Sequence, residues 1–365
     1  MTVDFLRLLL LPPLAAAHAS FWVILLANLT YLRRQPEADP STYPRLSVCI
    51  PARNEADNLR RLLPSLTQQD YPDLEVFVWD DGSEDDTWAV LQNADDDRLT
   101  PLQGTGPPDG WVGKVHALYQ CSREATGDCY LFLDADTELT RPDALRRLVA
   151  RHRGTNSRVS SGFPFLRGGA MLLVSLVPHA LLRSLPWPLV SRTESPSLSA
   201  LNGQCWLVGA DVYHAHEPHQ HVQNDVLEDV AIGRYLKSKG HPPTLLDVQD
   251  LVSVYMYDSY GAAWRGFRKN AYLLLGGTAP TFVLLYTGFI LTWVVAPLLS
   301  AWFVVSLYGL KFVTDRASGA SLTVSLLAPV SYLLGLALQL DSALHHWLGR
   351  VSWKGRSVPA SSPSS

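Results

Sequence analysis

Charged residues and cysteines are scarce in this chain, and their scarcity excludes several classes of protein. Only 18% of the 365 residues are charged, the net charge is −4, and no basic block interleaved with aromatic residues occurs. This composition gives no electrostatic case for a nucleic-acid partner. No Cys-x-x-Cys spacing occurs among the four cysteines, which are Cys49, Cys121, Cys129 and Cys205. We therefore predict reduced core thiols, and neither a disulfide framework nor a zinc site.

Three common catalytic motifs are also missing. The sequence contains no Walker P-loop, no Gly-x-Gly-x-x-Gly and no Gly-x-Ser-x-Gly. These motifs serve phosphoryl, hydride and acyl transfer, so none of those three chemistries is indicated. Apolar sequence is abundant instead: 47% of the residues are hydrophobic, and they are concentrated at the two ends of the chain.

The first apolar run extends from Phe5 to Leu32 and contains Pro12-Pro13. About 20 apolar residues are enough for a helix to cross a bilayer. Arg33-Arg34 follow the run, and by the positive-inside rule they place the next residues in the cytoplasm. We predict a membrane anchor over residues 1–34. The alternative is a cleaved signal peptide, which the long run and the weak charge before it disfavour.

A second apolar region, Ala271 to Leu310, contains no charged residue. It is about twice as long as one crossing requires, so we predict two helices that turn near Ala296-Pro297. Ser321 to Leu340 predicts a further span. The C-terminal membrane helices would then occupy residues 271–345, followed by a tail over 346–365 whose Ser/Pro-rich end after Val358 is predicted to be disordered. The number of C-terminal spans and the side of the tail stay open, but a multi-pass protein of the cell (inner) membrane is expected.

Residues 45–270, between these apolar ends, show alternating strand and helix patterns. Leu46–Ile50, Leu74–Trp79 and Tyr130–Leu133 are short apolar runs separated by segments with helical periodicity. This alternation predicts an α/β domain with a mostly parallel sheet flanked by helices, placed in the cytoplasm by the preceding arginines. Within it, Ala170–Val190 is apolar but broken by prolines. A helix lying in the membrane interface and a buried core helix fit this segment about equally well.

Acidic residues follow two of the predicted strands. Asp80-Asp81 ends one of them, and Asp134-Ala135-Asp136 follows the run at 130–133. Residues two apart in a strand point to the same side, so Asp134 and Asp136 can converge at the carboxyl edge, where open α/β sheets bind ligands. Two convergent carboxylates suit a divalent cation that also binds substrate phosphates. We therefore predict a Mg²⁺ or Mn²⁺ site at Asp134 and Asp136.

Other charged residues complete the requirements of a diphosphate site. Glu228-Asp229 lies on a predicted helix, and positive charge is available at Lys114, Arg265 and Arg268. A cation offsets the charge that develops on a leaving diphosphate, and a separate carboxylate is then free to act as general base.

Taken in order, these motifs resemble glycosyltransferase family 2. They are Pro51-Ala52-Arg53-Asn54-Glu55, Asp80-Asp81-Gly82-Ser83, Asp134-Ala135-Asp136 and Glu228-Asp229, and the resemblance covers roughly residues 46–270. It implies a GT-A-type (Rossmann-like) fold and an inverting, metal-dependent transfer of sugar from a nucleotide donor, with UDP-sugar favoured.

The resemblance also implies a role for each motif. Asp81 would receive the uracil, Asp134 and Asp136 would hold the metal on the diphosphate, and Asp229 would deprotonate the acceptor with support from Glu228. The donor-binding residues would be Pro51, Arg53, Glu55, Asp80, Asp81, Lys114, Asp134, Arg265 and Arg268. On the acceptor side we expect Gln204, His221 and Trp264.

The type of acceptor follows from two further comparisons. Arg265-Gly266-Phe267-Arg268 matches a Gln/Arg-x-x-Arg-Trp signature of membrane-bound branches, but Lys269 replaces the tryptophan, which disfavours a processive polysaccharide synthase. Gly110–Lys114, Asn202–Gln204 and Trp353–Arg356 resemble a lipid-modifying subgroup that includes carotenoid and hopanoid-associated glucosyltransferases. We therefore expect glucose transfer to a carotenoid or other isoprenoid lipid. The alternatives are a small polysaccharide or polyprenyl-phosphate glycosyltransferase, and a non-catalytic membrane protein that binds a nucleotide sugar.

Four histidines form one further candidate cluster, at positions 214, 216, 219 and 221. Their spacing is irregular and a proline interrupts them, so a polar loop near the acceptor is favoured over a structural metal site.

Overall fold

The chain forms two compact units in a computed structural model that describes residues 3–34, 38, 42–353 and 356–357. One, which we call the α/β unit, comprises Arg34–Phe165 and Trp187–Tyr255. The other, the helical unit, comprises Met1–Arg33, Leu166–Pro186 and Met256–Ser365. Two segments of the expected 45–270 domain, residues 166–186 and 256–270, therefore group with the chain's terminal helices. The predicted disorder after Val358 falls outside the described residues.

Strands and helices alternate through the α/β unit, whereas helices dominate the other. The strands are β1 (Leu46–Ala52), β2 (Leu74–Asp80), β3 (Leu99–Gln103), β4 (Cys129–Leu133), β5 (Thr137–Leu139), β6 (Val159–Phe163), β7 (Phe165–Arg167), β8 (Cys205–Gly209), β9 (Thr244–Asp247), β10 (Val252–Tyr255), β11 (Ser352–Trp353) and β12 (Arg356–Ser357). The α-helices are α1 (Val3–Leu32), α2 (Ala56–Thr67), α3 (Thr87–Gln92), α4 (Gly113–Glu124), α5 (Ala144–Gly154), α6 (Met171–Val174), α7 (Leu176–Ser184), α8 (Trp187–Val190), α9 (Ala210–His216), α10 (Pro218–His221), α11 (Glu228–Ser238), α12 (Tyr260–Leu274), α13 (Ala279–Ile290), α14 (Ala296–Leu299), α15 (Ala301–Ala317), α16 (Leu322–Leu326) and α17 (Ala328–Trp347). A 3₁₀ turn at Pro196–Leu198 and a π-helical segment at Leu291–Val295 complete the set.

The central sheet of the α/β unit has the strand order β3-β2-β1-β4-β8-β6-β9. Four of its neighbouring pairs are parallel, namely β1 with β2, β1 with β4, β2 with β3 and β6 with β9. The prediction of a mostly parallel α/β sheet is therefore confirmed. Strand β8 runs antiparallel to both of its neighbours, which periodicity alone did not indicate.

Helix α2 shows how the sequence pattern builds the core. Its buried leucines recur at helical spacing along one face, and all of them pack in the core cluster that contains the strand residues of β1 and β2. Its leucines are Leu59, Leu62, Leu63 and Leu66. The predicted amphipathic helix is confirmed, and the strands it covers are buried on both faces, as expected of parallel strands between helices.

Helix α11 ends where the sequence predicts it. The last helical residue is Ser238, and Gly240 follows with φ +86°, a backbone conformation that favours glycine. His241 N then donates to Leu236 O at 2.9 Å, which satisfies a terminal helix carbonyl. The glycine therefore terminates the helix that begins with Glu228.

Two helical segments in the helical unit have the length and apolar composition to cross a bilayer, Arg7–Leu32 and Ala279–Leu299. The other expected crossings are not supported: α15 and α17 are helices, but neither meets both criteria. The two predicted helices of this region are present, but the break between them lies at Ser300 (φ −159°, ψ 140°), slightly later than expected, because the chain stays helical through Pro297. The π-helical segment just before Pro297 accommodates the proline within a continuous helix.

Ala170–Val190 forms three short helices (α6, α7 and α8) and not the single helix that both alternatives assumed. Helix α7 packs against α1 and α15 within the helical unit. The Asn28 side chain of α1 donates to the carbonyl oxygens of Leu182 and Leu185 at 2.8 and 2.7 Å. Leu182 is fully buried by this packing. Pro186 lies between α7 and α8, whereas Pro178 and Pro188 lie in the first turns of these two helices, where a missing N–H is tolerated.

The four cysteines are buried and free, as predicted from their spacing.

We expect Arg98→Met to lower the free energy of unfolding by about 2 kcal/mol, because charged hydrogen bonds to two backbone carbonyls are lost. Arg98 donates to the carbonyls of Thr67 and Gln69 at 2.7 and 3.0 Å, which fixes the end of α2 to the start of β3. The matched control is Arg60→Met, whose exposed pair with Asp57 should contribute less than about 1 kcal/mol. Denaturant unfolding of both variants measures the difference, and equal losses would contradict this account.

Candidate active site

The carboxyl ends of β1, β2 and β4 meet at one edge of the central sheet. The parallel register aligns Ala52 with Asp80, and Asp81 N donates to Ala52 O at 2.8 Å. Since β8 is antiparallel to β4, the residues that precede β8 reach the same edge, where Asp134 N donates to Gln204 O at 3.3 Å. Residues far apart in sequence are thereby assembled where open α/β sheets bind ligands.

Lys114 links two of the predicted acidic residues directly. It lies in the first turn of α4, and its Nζ is 2.7 Å from Asp134 Oδ1 and 2.9 Å from Asp134 Oδ2. The same Nζ is 2.9 Å from Glu228 Oε1, at the start of α11. One ammonium group therefore joins β4, α4 and α11, and the three side chains are only 11–31% exposed.

Asp229 lies beside this ion-pair cluster, at Gly203. Its Oδ2 accepts a hydrogen bond from Gly203 N at 3.1 Å, and its Oδ1 accepts one from Val230 N at 2.8 Å. A Cβ on Gly203 would stand 3.1 Å from Lys114 Nζ and 3.2 Å from Glu228 Oε1. Gly203 thus allows its backbone to approach the cluster closely. The residue type alone did not predict this role of Gly203, although the Asn202-Gly203-Gln204 segment resembles the lipid-modifying subgroup.

The charges of the cluster shift the pKa values of its members. Burial, followed by repulsion from Glu228, raises the pKa of Asp229 to about 6, although Lys114 opposes the shift. Burial likewise raises the pKa of Asp134 despite the adjacent ammonium. Burial works against the charged form of Lys114, but Asp134 and Glu228 together hold its pKa well above the usual value. A carboxylate with a pKa near 6 is suited to accept a proton near neutral pH.

The loop after β2 is ordered by Arg53 and Asp80. Arg53 Nη1 donates to Asp81 O at 2.8 Å and to Gly82 O at 3.0 Å. Asp80 Oδ1 accepts a hydrogen bond from Ser83 N at 3.0 Å, so Asp80 has a local role in this turn. The loop therefore holds Asp81 at the sheet edge, where that residue is 3% exposed.

The first turn of α3 is capped by Asp85, whose Oδ1 accepts from Thr87 N at 3.0 Å. Aspartates that precede a helix often cap its first turn, so Asp80 and Asp81 could have had this role instead of donor binding. Since a different carboxylate performs the capping, Asp81 remains a candidate for the donor nucleoside.

A histidine between two tryptophans was missed by the sequence analysis. The ring of His116 lies 5.9 Å from that of Trp79 and 5.6 Å from that of Trp111, edge-on to both. Burial lowers the pKa of His116, while the charge of Asp81 opposes that shift. These rings therefore line the part of the sheet edge that contains Asp81. Trp79 lies in the predicted strand β2 and Trp111 in the Gly110–Lys114 segment noted by resemblance, but no pattern in the sequence pointed to His116.

The predicted metal ligands were tested against the described side chains. Asp134 Oδ1 is buried and accepts no hydrogen bond, although Lys114 lies close to it. Asp136 follows in the turn after β4, and its carbonyl oxygen accepts from Tyr255 N at 2.8 Å. No group of three His, Cys, Asp or Glu side chains within the described ranges is placed to hold a metal ion. Two aspartates fit a cation that takes its remaining ligands from phosphate and water.

The remaining predicted residues are distributed over both units. Pro51 lies in β1, and Glu55 precedes α2 in the α/β unit. Trp264, Arg265 and Arg268 lie on α12 in the helical unit, where Asp341 accepts from Trp264 Nε1 at 2.8 Å and lies 3.7 Å from Arg268 Nη1. Their donor and acceptor roles stay predictions.

The expected polar loop around the histidine cluster is wrong, because this segment forms α9 and α10. His219 is fully buried and bonded to Tyr213 OH at 2.8 Å, and burial lowers its pKa to about 3. His214 pairs with Tyr130 OH at 2.8 Å. His221 is exposed and stacks on Tyr235 with ring centroids 3.7 Å apart, so its acceptor role stays a prediction.

We expect Lys114→Met to destabilise the metal-free protein by about 2 kcal/mol at pH 8 and by much less at pH 5. Burial already raises the pKa of Asp134 while Lys114 opposes that shift, so without the ammonium the folded-state pKa of Asp134 rises further above its unfolded value. The loss of stability therefore grows as pH rises from the unfolded to the folded pKa of Asp134. Thermal unfolding with EDTA at both pH values measures it. Arg158→Met, at an exposed pair with Asp211, is the control. A pH-independent loss would contradict the role of Lys114.

Comparisons with known proteins agree with this geometry. Residues 47–215 match the sequence pattern of the family described as Glycosyl transferase family 2. The chain is 28% identical over 252 residues to 4,4'-diaponeurosporenoate glycosyltransferase of Staphylococcus aureus strain MRSA252. This alignment covers 64% of this chain and 63% of that protein. The counterpart from strain USA300 matches to the same extent. The alignment therefore spans less than two thirds of these relatives.

A solved structure supports the fold. The chain superposes on a mannosyltransferase from Pyrobaculum calidifontis, solved with GDP-Man and Mn²⁺, with a TM-score of 0.55. The superposition covers 91% of this chain and 96% of the other, at 19% sequence identity, which supports the fold alone. With the order of the sheet, these comparisons show that the chain has a GT-A-type fold and that its residues 47–215 match glycosyl transferase family 2.

Proposed function

We propose that this chain is a membrane-bound, inverting glycosyltransferase that moves a sugar, glucose being favoured, from a UDP-sugar to a lipid acceptor. The observation that carries the proposal is the cluster at the sheet edge, in which Lys114 joins Asp134 to Glu228 next to Asp229. A cation beside two carboxylates, together with a third carboxylate that can accept a proton, is the combination that glycosyl transfer from a diphosphate requires. The similarity to 4,4'-diaponeurosporenoate glycosyltransferase favours a carotenoid or other isoprenoid lipid as acceptor.

On the donor side, Asp81 would contact the uracil, and Asp134 with Asp136 would hold Mg²⁺ or Mn²⁺. When bound, that cation would offset the negative charge of the diphosphate. Lys114 is already positioned at Asp134, so its ammonium could turn to the diphosphate and stabilise the charge that develops on it.

On the acceptor side, Asp229 would accept the proton of the attacking hydroxyl. The acceptor oxygen forms a bond to the anomeric carbon as the bond from that carbon to the diphosphate breaks. The electron pair leaves with UDP, and in-line attack inverts the configuration. If the acceptor is a carboxylate, there is little proton to remove, and Asp229 would orient the acceptor.

Membrane attachment is supported by the surfaces of the two apolar helices. Leu8 and Val23 in Arg7–Leu32 are 75% and 66% exposed, and Leu284 and Leu298 in Ala279–Leu299 are 72% and 79% exposed. Large aliphatic side chains repeated along such helices suit contact with lipid chains. We place both helices in the cell membrane, with the α/β unit in the cytoplasm.

We expect Asp229→Asn to lower turnover of a lipid hydroxyl acceptor by about 10²–10⁴-fold, because the proton acceptor is lost. The wild-type rate should rise with pH through about 6, the pKa of Asp229, and the variant should lose this dependence. UDP release from UDP-glucose, measured with a membrane-lipid extract between pH 5 and 8, gives both results.

The matched control for this prediction is Asp225→Asn. Asp225 lies four residues earlier, and burial also raises its pKa, with a smaller contribution from the charge of Glu228, but Asp225 is not part of the ion pairs that Lys114 forms with Asp134 and Glu228. Its variant should keep the rate and the pH profile. An unchanged profile in Asp229→Asn would contradict the assignment of the base.

We expect EDTA to abolish lipid-dependent UDP release and added Mn²⁺ or Mg²⁺ to restore it. Asp136→Asn should not be restored, because one of the two carboxylates that hold the cation is missing. Parallel assays with GDP-mannose test the choice of donor, and the labelled lipid identifies the acceptor. Full activity in EDTA would contradict metal dependence, and the absence of binding to any nucleotide sugar would contradict the transferase.

A further inference from the structure

Arg183 of α7 is a buried cation that has no anionic partner among the described side chains. The residue is 5% exposed, and its guanidinium lies over the rings of Trp293 and Phe21 at 4.5 and 4.7 Å, with Phe289 at 5.8 Å. Its Nε is buried without a hydrogen-bond partner. No carboxylate of the described residues lies within ion-pair distance of it. A buried charge of this kind is costly unless it is paired and hydrogen-bonded.

The acidic side chains described in the helical unit have other partners or are exposed to solvent. Asp315 pairs with Lys311, Asp341 lies beside Arg268 and His345, and Asp258 is exposed. By sequence, the unit carries twelve lysine and arginine residues against four aspartates and no glutamate. The counter-charge for Arg183 must therefore come from outside the described side chains, or the aromatic rings must suffice.

The aromatic rings offer only part of what a buried guanidinium loses in leaving water. Attraction to a ring face is weaker than a charge-assisted hydrogen bond and leaves the N–H donors without acceptors. Lys311 shows the complete arrangement in the same unit: it is fully buried, pairs with Asp315, and donates to Ser175 Oγ at 2.9 Å. Arg183 is buried in the same way, but no carboxylate among the described side chains pairs with it.

The histidine next to Arg183 does not provide a negative charge either. Thr314 donates its hydroxyl to Leu310 O at 2.9 Å, so it accepts from His179 Nδ1, which lies 2.8 Å away. His179 Nε2 then accepts from Tyr332 OH at 3.0 Å. This chain of hydrogen bonds fixes a neutral imidazole, so the surroundings of Arg183 are polar but uncharged.

The position of Arg183 within the helical unit indicates the kind of anion. Phe289 is the central residue of Ala279–Leu299, and Phe21 lies in the middle part of Arg7–Leu32, the two helices able to cross a bilayer. An ionisable residue at such depth is a candidate binding site for a membrane-embedded ligand. An amphiphile with a carboxylate or phosphate can reach it along the apolar helices more readily than a water-soluble anion can.

We propose that Arg183, framed by Phe21, Phe289 and Trp293, binds the anionic group of a membrane lipid, a carboxylate or a phosphate. This site rests on the membrane insertion proposed above but not on glycosyl transfer. The bound lipid supplies the missing counter-charge of Arg183 and stabilises the helical unit.

The test compares thermal unfolding of the full chain in phosphatidylcholine nanodiscs with and without an anionic lipid. One set contains oleate and another contains dioleoyl phosphatidic acid, which distinguishes a carboxylate from a phosphate. Wild type should gain about 3 °C or more with at least one of them, because a ligand that binds only the folded state stabilises it. Arg183→Met should unfold at a higher temperature than wild type in neutral nanodiscs, because the unpaired charge is gone, and should gain nothing from either lipid.

Lys311→Met is the control, because it removes a buried cation that already has a partner. It should be less stable than wild type yet keep the lipid-dependent gain. Arg183→Gln serves if the methionine variant does not fold. A less stable Arg183→Met that keeps the lipid-dependent gain would overturn the proposal, as would a gain produced by inorganic phosphate alone. Failure of the chain to enter nanodiscs would overturn both this site and the membrane placement, whereas a lack of transferase activity would leave the site unaffected.

Discussion

The candidate site depends on one ammonium group, Lys114, held between carboxylates of β4 and α11. Without it, Asp134 and Glu228 would face each other as like charges in a partly buried cleft, and Asp229 would stand beside them. The ammonium keeps the carboxylates together, and each carboxylate can still change its protonation state. This explains why three segments that lie between residues 114 and 228 of the chain converge on one point of the sheet edge.

The sequence predicted the parts of this site that follow from local pattern. The alternation of strands and helices, the leucine face of α2 and the acidic ends of β2 and β4 all reflect short-range periodicity. The antiparallel direction of β8 does not, because it is set by pairing with β4 and β6 across the sheet. Yet this direction brings Gly203 to Asp229, so the backbone hydrogen bond from Gly203 to Asp229 was not predictable from residue type.

The errors have a common physical cause. Pro297 was expected to turn the chain, but a π-helical segment before it accommodates the ring and the helix continues to Leu299. The histidines of α9 and α10 were expected in a loop, but partners distant in sequence, such as Tyr130 for His214, stabilise them within helices. Buried cations have different surroundings in the two units. In the α/β unit Lys114 pairs with carboxylates, whereas in the helical unit Arg183 lies among aromatic rings.

The central claim is that the site separates donor binding from proton transfer. Calorimetric titration of UDP with Mn²⁺ into wild type, Asp134→Asn and Asp229→Asn tests this division most directly. We expect Asp134→Asn to weaken binding by about tenfold or more, and Asp229→Asn to bind about as tightly as wild type while failing to turn over. Equal loss of binding in both variants, or no binding of UDP by wild type, would contradict the account.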